Sequence, residues 1–246
     1  MGLIAAAPTG RAAWTRTVDP SVRLRPMDRA DLLRRLAANL AAQRPGHPLR
    51  VGIDGPSGVG KTTFAGELAD AVRATGRPVL RIDSDGFHHV RGIRYRQGRA
   101  SARGYYDDAY DFDSLRALVL EPLGPGGSRR VATKVHDLST DAVEHRWSEV
   151  ATDAVVIFDA TFLQRGELRD LWDEVVYLDT AERIAQLRGV ERDAAALGGA
   201  DAALAAYESR YTAAYRFYLR EERPADRASI VIDHTDPAAP ALLRGQ

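Results

Sequence analysis

The chain contains no cysteine in 246 residues. That absence excludes disulfides, thiolate nucleophiles and Cys-ligated zinc, and it suits a reducing, cytoplasmic setting. Net charge is also absent, with 34 basic residues balanced by 34 acidic ones. A neutral chain has no global attraction to nucleic acid or to an anionic membrane, so neither is expected as a partner. No apolar run approaches the roughly 18 residues needed to span a bilayer. The opening Met1-Gly2-Leu3-Ile4-Ala5-Ala6-Ala7-Pro8 lacks the basic start and the length of a signal peptide. No internal repeat is visible, and His88, His89, His136 and His145 lack the helical spacing of a zinc site. What remains is a composition of 45% hydrophobic and 28% charged residues, that of an ordinary globular protein with a sizeable core.

Against that plain background, Gly55-Pro56-Ser57-Gly58-Val59-Gly60-Lys61-Thr62 matches the phosphate-binding pattern G-x-x-x-x-G-K-[ST] in full. An apolar run, Arg50 to Asp54, precedes it as a buried strand would. Apolar residues at 64, 65, 68, 69 and 72 follow it at helical spacing. Strand, glycine loop and helix together aim backbone N–H groups and a helix N-terminus at one anion. Lys61 adds a point charge for the β- and γ-phosphates, and the Thr62 hydroxyl is a ligand for Mg²⁺. The loop residues Gly55, Ser57, Gly58, Val59, Gly60, Lys61, Thr62 and Thr63 are therefore expected to hold ATP or GTP with Mg²⁺.

Elsewhere the pattern alternates. A helix is expected from Asp28 (apolar at 32, 33, 36, 37 and 40), and strands at 79–82, 130–135, 154–159, 174–179 and 229–233. Helices are expected at 111–120, 166–172, 181–197 and 201–222. Residues 90–106, with five arginines, read as a long surface loop, and the Pro-containing end reads as a short tail. Strands alternating with helices predict an α/β fold, a parallel sheet with helices on both faces. Residues 1–24 are expected to form a mobile leader, with an edge strand or docking segment around Val22–Leu24 as the alternative. Residues 25–246 are expected to be one domain.

Ligands of open parallel sheets sit beyond the carboxyl ends of the strands. Asp54, Asp83, Asp85 and Asp159 all fall at such ends. Asp159 closes the run Val155-Val156-Ile157-Phe158 and is expected at the metal, or else as a strand-end cap. Asp85 is the candidate general base for an acceptor hydroxyl, and Asp83 is either its partner on the acceptor side or a turn residue. Two carboxylates this close need a cation between them or one becomes protonated; Mg²⁺ would supply that charge, which also places Asp85 beside the metal. In Tyr105-Tyr106-Asp107-Asp108-Ala109-Tyr110-Asp111, aromatic rings suited to stacking alternate with acceptors suited to ribose hydroxyls; a solvated loop with a capping Asp is the plain alternative. Arg188 and Arg192 share one helix face, as lid arginines would, or as a solvated face would.

In their order along the chain, these segments resemble the uridine kinase family of nucleoside kinases: the glycine loop, Asp83-Ser84-Asp85-Gly86-Phe87-His88, Tyr106 to Asp111, Phe158 to Leu163, Arg188-x-x-x-Arg192-Asp193 and Ser229 to Asp233. The likeness spans roughly residues 48 to 236. It implies a P-loop kinase fold with a five-stranded parallel core and a helical lid near 183–200. It also implies transfer of the γ-phosphate to a primary hydroxyl, such as the 5′-OH of a uridine- or cytidine-like nucleoside. Carried over, Asp85 is the base, Asp107 takes ribose hydroxyls, Thr62 and Asp159 order Mg²⁺, and Arg188 and Arg192 close on the phosphates, with Tyr106 also counted on the acceptor side. His88 stands where the family often has Tyr. His136 lies in Lys134-Val135-His136-Asp137-Leu138, where the family has a pyrimidine-contacting segment, and it is the residue left there to stack on or bond a base. Asp159 replaces the usual Glu, which leaves room for a water at the metal. Related kinases for pantothenate, nicotinamide riboside, ribulose phosphate or a sugar-like alcohol, and a regulatory nucleotide-binding module, are the competing readings. The oligomeric state is left open.

Overall fold

The computed structural model describes residues 27–245; the expected leader lies outside them. Helix α1 (Arg29–Ala42) begins at the N-cap Asp28, whose carboxylate accepts from Ala30 N at 2.9 Å and Asp31 N at 3.3 Å. A cap of this kind contributes about 1 kcal/mol. The helix buries Leu32, Leu33, Leu36, Ala37 and Leu40, the expected apolar stripe.

Strands β1 (Leu49–Asp54), β2 (Val79–Asp83), β5 (Val155–Asp159), β6 (Glu174–Asp179) and β7 (Ile230–Asp233) are mutually parallel in the order β2-β5-β1-β6-β7. All five end in aspartate, so five carboxylates gather at one edge of the sheet. A sixth strand, β8 (Ala241–Arg244), pairs antiparallel with β7. The expected tail is thus part of the sheet: its backbone groups complete the edge that β7 would otherwise present to solvent.

Side-chain alternation along the strands divides the core. Val155 and Ile157 pack with Val51, Ile53, Phe64 and Leu68 beneath α1 and α2 (Lys61–Ala74). Val156 and Phe158 pack on the other face with Leu115, Trp172, Tyr177 and Tyr215. Burying each such side chain contributes roughly 1.5–3 kcal/mol, which is why these strands read as unbroken apolar runs.

Three expectations need correction. Residues 90–106 are not a surface loop: they form α3 (Arg91–Arg94) and the start of α4 (Ala102–Asp108), with Arg94 buried. Ion pairs hold them, Arg96 with Asp108 and Arg103 with both Asp107 and Glu221. The strand expected at 130–135 is longer and does not join the parallel sheet, since β3 (Arg130–Asp137) and β4 (Ala142–Glu149) form a separate antiparallel hairpin. The expected helix 166–172 is only a 3₁₀ turn, Arg169–Leu171.

Between β2 and β3, Asp111 caps α5 (Phe112–Leu115), and a π turn, Arg116–Leu120, continues it into α6 (Glu121–Leu123). At the C-terminal side, α7 (Glu182–Leu197) leads through Gly198 and Gly199, both at positive φ, into α8 (Ala200–Ala206). A π turn at Tyr207–Tyr211 joins α8 to α9 (Thr212–Glu222), and the short α10 (Pro224–Arg227) precedes β7.

Candidate active site

The glycine loop is shaped by what surrounds it. Gly58 has φ +85°, and a Cβ there would lie 2.1 Å from the Ala185 carbonyl of α7. Gly60 has φ +100° and supplies the left-handed N-cap of α2. Loop and α7 therefore touch without a side chain between them. Beneath the loop, the fully buried Asp54 accepts from Gly55 N at 2.7 Å, from Gln164 Nε2 at 3.0 Å and from the Tyr218 hydroxyl. Burial raises its carboxyl above the usual range, and these donors oppose that shift. Val59 is buried, and its carbonyl lies 2.7 Å from His234 Nδ1; the other ring nitrogen meets Arg29 at 2.9 Å.

The loop opens into a cavity of about 690 Å³ at the carboxyl edge of the sheet. Ser57, Gly58, Gly60, Lys61, Thr62 and Thr63 form one wall. Lys61 Nζ donates to the Gly55 and Pro56 carbonyls at 3.0 and 2.9 Å. Burial lowers this ammonium to about 8; Asp54 and Asp159 hold it up, and Arg192 pushes it further down. Thr62 Oγ1 donates to Asp159 Oδ2 at 2.7 Å, and Arg81 holds the other oxygen at 2.9 Å. Asp159 is only 2% exposed.

Asp85 faces the same cavity from a 3₁₀ turn, Ser84–Phe87. Burial, then the charges of Asp83 and Asp159, raise its carboxyl, and Arg192 opposes them. Hard oxygens of Thr62, Asp159 and Asp85 grouped beside a phosphate loop fit Mg²⁺, which takes few protein carboxylates and completes its shell with phosphate and water. Among the described residues no cluster of three or more His, Cys, Asp or Glu forms a metal cage by itself, so the triphosphate would have to share the ion.

Arg188 and Arg192 both reach the cavity from α7. Arg188 donates to the His234 and Thr235 carbonyls at 3.1 and 2.5 Å. Arg192 makes a bidentate pair with Asp193 at 2.7 and 2.8 Å, and Tyr207 donates to the same carboxylate at 2.8 Å. His88 lines the opposite side, its ring stacked on Tyr110 at 4.4 Å and its Nδ1 2.9 Å from the Ala109 carbonyl. Burial lowers it to about 4, so it is neutral.

Four residues expected on the acceptor side do not line this cavity. Asp83 caps its own turn, accepting from Asp85 N at 3.1 Å. Tyr106 is buried against Phe162. Asp107 is paired with Arg103 at 2.7 Å. His136 is buried beside Asp141 at 3.1 Å. Tyr105 and Tyr110 take the place of Tyr106, because neighbours on a helix point about 100° apart. Sequence reasoning also missed Arg94, Tyr95, Arg210 and Tyr211. Arg210 and Tyr211 lie in the π turn Tyr207–Tyr211, whose extra residue turns them inward, and no periodicity signals such a turn. Phe162, at φ +75°, is a strained non-glycine residue, held by rings of Tyr105, Tyr106 and Tyr218 under the cavity floor.

A parallel sheet, a glycine loop opening α2 and a cavity spanned by a second carboxylate and two helix-borne arginines define a P-loop kinase. Residues 50–237, more than half of the chain, match the model of the phosphoribulokinase / uridine kinase family, and the chain belongs to that family. The uridine kinase of Latilactobacillus sakei subsp. sakei (strain 23K) is 29% identical over 148 residues, 59% of this chain and 67% of that protein. A solved structure of a possible uridine kinase from Bacillus stearothermophilus superposes with a TM-score of 0.64 at 26% identity, covering 82% of this chain and 96% of the other. A candidate fructose transport system kinase from Silicibacter sp. TM1040 gives 0.65 at 25% identity, covering 80% and 97%. Among the described residues no helix is long and apolar enough to cross a membrane.

Proposed function

We propose that this chain transfers the γ-phosphate of ATP, with Mg²⁺, to a primary hydroxyl of a small metabolite, and that Asp85 takes the hydroxyl proton. The observation that carries this reading is that Asp85 lines one cavity together with Lys61, Thr62 and Asp159. The acceptor oxygen attacks the γ-phosphorus, the bond to the β,γ-bridging oxygen breaks, ADP departs, and the proton passes to the Asp85 carboxylate. Loop amides and Lys61 hold the β- and γ-phosphates. Thr62, Asp159 and Asp85 are the residues that would hold Mg²⁺, which neutralises charge on the phosphates. Arg188 and Arg192, carried on α7 as a lid, meet the charge that spreads over the transferring group.

A nucleoside acceptor is supported by the relatives called uridine kinase, with Tyr105, Tyr110 and His88 as the rings available to it. A sugar-like or acidic alcohol is the second reading, favoured by Arg94 and Arg210 in the same wall. ADP release measured with ATP, Mg²⁺ and a panel of alcohols tests the class. Asp85→Asn should retain ATP binding and lose at least about 10²-fold in kcat. Near-normal turnover by Asp85→Asn would strip Asp85 of its role.

A further inference from the structure

The wall beyond Asp85 carries two guanidinium groups that the phosphate site does not use. Arg94, 6% exposed, ends the short helix α3 that follows His88, and Arg210, 8% exposed, reaches the same wall from the π turn. Neither is fully partnered: Arg94 Nε and Nη1 and Arg210 Nε are buried without a hydrogen bond. Asp141 lies 3.6 Å from Arg94, but its carboxylate also serves Arg91 N at 2.8 Å and His136 at 3.1 Å. Arg210 spends one nitrogen on the Arg99 carbonyl at 2.6 Å. Both guanidinium groups flank the ring of Tyr95, at 5.2 and 4.9 Å. The pair presses His88 toward neutrality, after burial.

Two largely buried guanidinium groups that line one cavity make its wall positive; Asp141 and the rings of Tyr95, Tyr105 and Tyr211 offset that charge only in part, and an anion in the cavity would complete it. We infer that the acceptor alcohol carries an anionic group, carboxylate or phosphate, which Arg94 and Arg210 bind while its hydroxyl faces Asp85. This rests on the phosphotransfer reading above and narrows its substrate class. A neutral nucleoside would leave that positive wall uncompensated, whereas an anion would meet two planar guanidinium groups suited to carboxylate or phosphate oxygens.

The test fills the phosphate loop with a non-hydrolysable ATP analogue and Mg²⁺, then titrates by calorimetry with matched probes. These are glycerate against glycerol, fructose 6-phosphate against fructose, and uridine as the neutral nucleoside. At least one anionic probe should bind about 10- to 100-fold more tightly than its neutral counterpart and than uridine. The double variant Arg94→Met, Arg210→Met keeps the apolar stems and should bring that ratio to about one, with Arg94→Lys alone keeping part of it. Analogue binding by each variant reports that it is folded, and the wild-type preference is a readout that needs no variant. Uridine or another neutral alcohol binding as tightly as the anions, no anionic probe binding at all, or a preference surviving in the folded double variant would overturn the anion site and leave phosphotransfer standing. Failure of wild type to take up the ATP analogue would bring down both.

Discussion

Triphosphate affinity should fall with rising pH through a single step owned by Lys61. Its ammonium is buried among loop carbonyls, and although Asp54 and Asp159 hold it up, it titrates at about 8 rather than at the ordinary 10.5. A bound triphosphate would keep the lysine charged, so binding in the alkaline range must draw a proton from solvent. If only the ammonium form binds well, the apparent Kd scales with the inverse of the charged fraction, rising about tenfold from about pH 7 to about pH 9, or about 1.4 kcal/mol. An ordinary lysine would leave Kd almost unchanged over that window. Phosphate ionisation, with a second pKa near about 6, is complete before the window begins. His88, at about 4, is already neutral there. Calorimetry with the ATP analogue and Mg²⁺ at several pH values measures the step, and Lys61→Met should abolish it along with most affinity. The fold itself should respond with the opposite sign. Because the folded pKa lies below the unfolded one, this site's contribution to stability rises as pH climbs from about 8 toward 10.5. A flat Kd across the window in wild type, or the same step persisting in Lys61→Met, would refute the reasoning.

Two further outcomes follow from the same geometry. Asp159→Ala removes the acceptor of Thr62 and the partner of Arg81, so the Mg²⁺ concentration for half-maximal ADP release should rise at least about tenfold; an unchanged requirement would take Asp159 away from the metal. Gly58→Ala places a Cβ against the Ala185 carbonyl at positive φ, whereas Gly198→Ala meets positive φ with nothing within 4 Å. The second should cost about 1 kcal/mol in chemical denaturation and the first about 1–3 kcal/mol more, with loss of nucleotide binding; equal costs would show that loop and lid helix are not in contact.

The phosphate loop was legible in the chain because its chemistry is local: eight consecutive residues between a strand and a helix contain the whole device. The parallel strands were legible for a related reason, since burial on both faces leaves runs such as Val155 to Phe158 without polar interruption. The hairpin strand Ala142–Glu149 was not, because most of its side chains face solvent and leave no apolar alternation to read. Strand β8 was hidden by its brevity. The acceptor wall required the tertiary structure. Arg94 and Arg210 meet only because α3 and the π turn are folded onto the same ring of Tyr95. The choice of Tyr105 over Tyr106 depends on how α4 is rotated against Phe162, Tyr211 and Tyr218. Sequence alone therefore determined the phosphate loop and the residues proposed to grip a triphosphate, because neighbours in the chain build that device. Only the packing of distant helices decided which residues line the cavity beyond that loop, because helix rotation and long-range contacts leave no mark on local spacing.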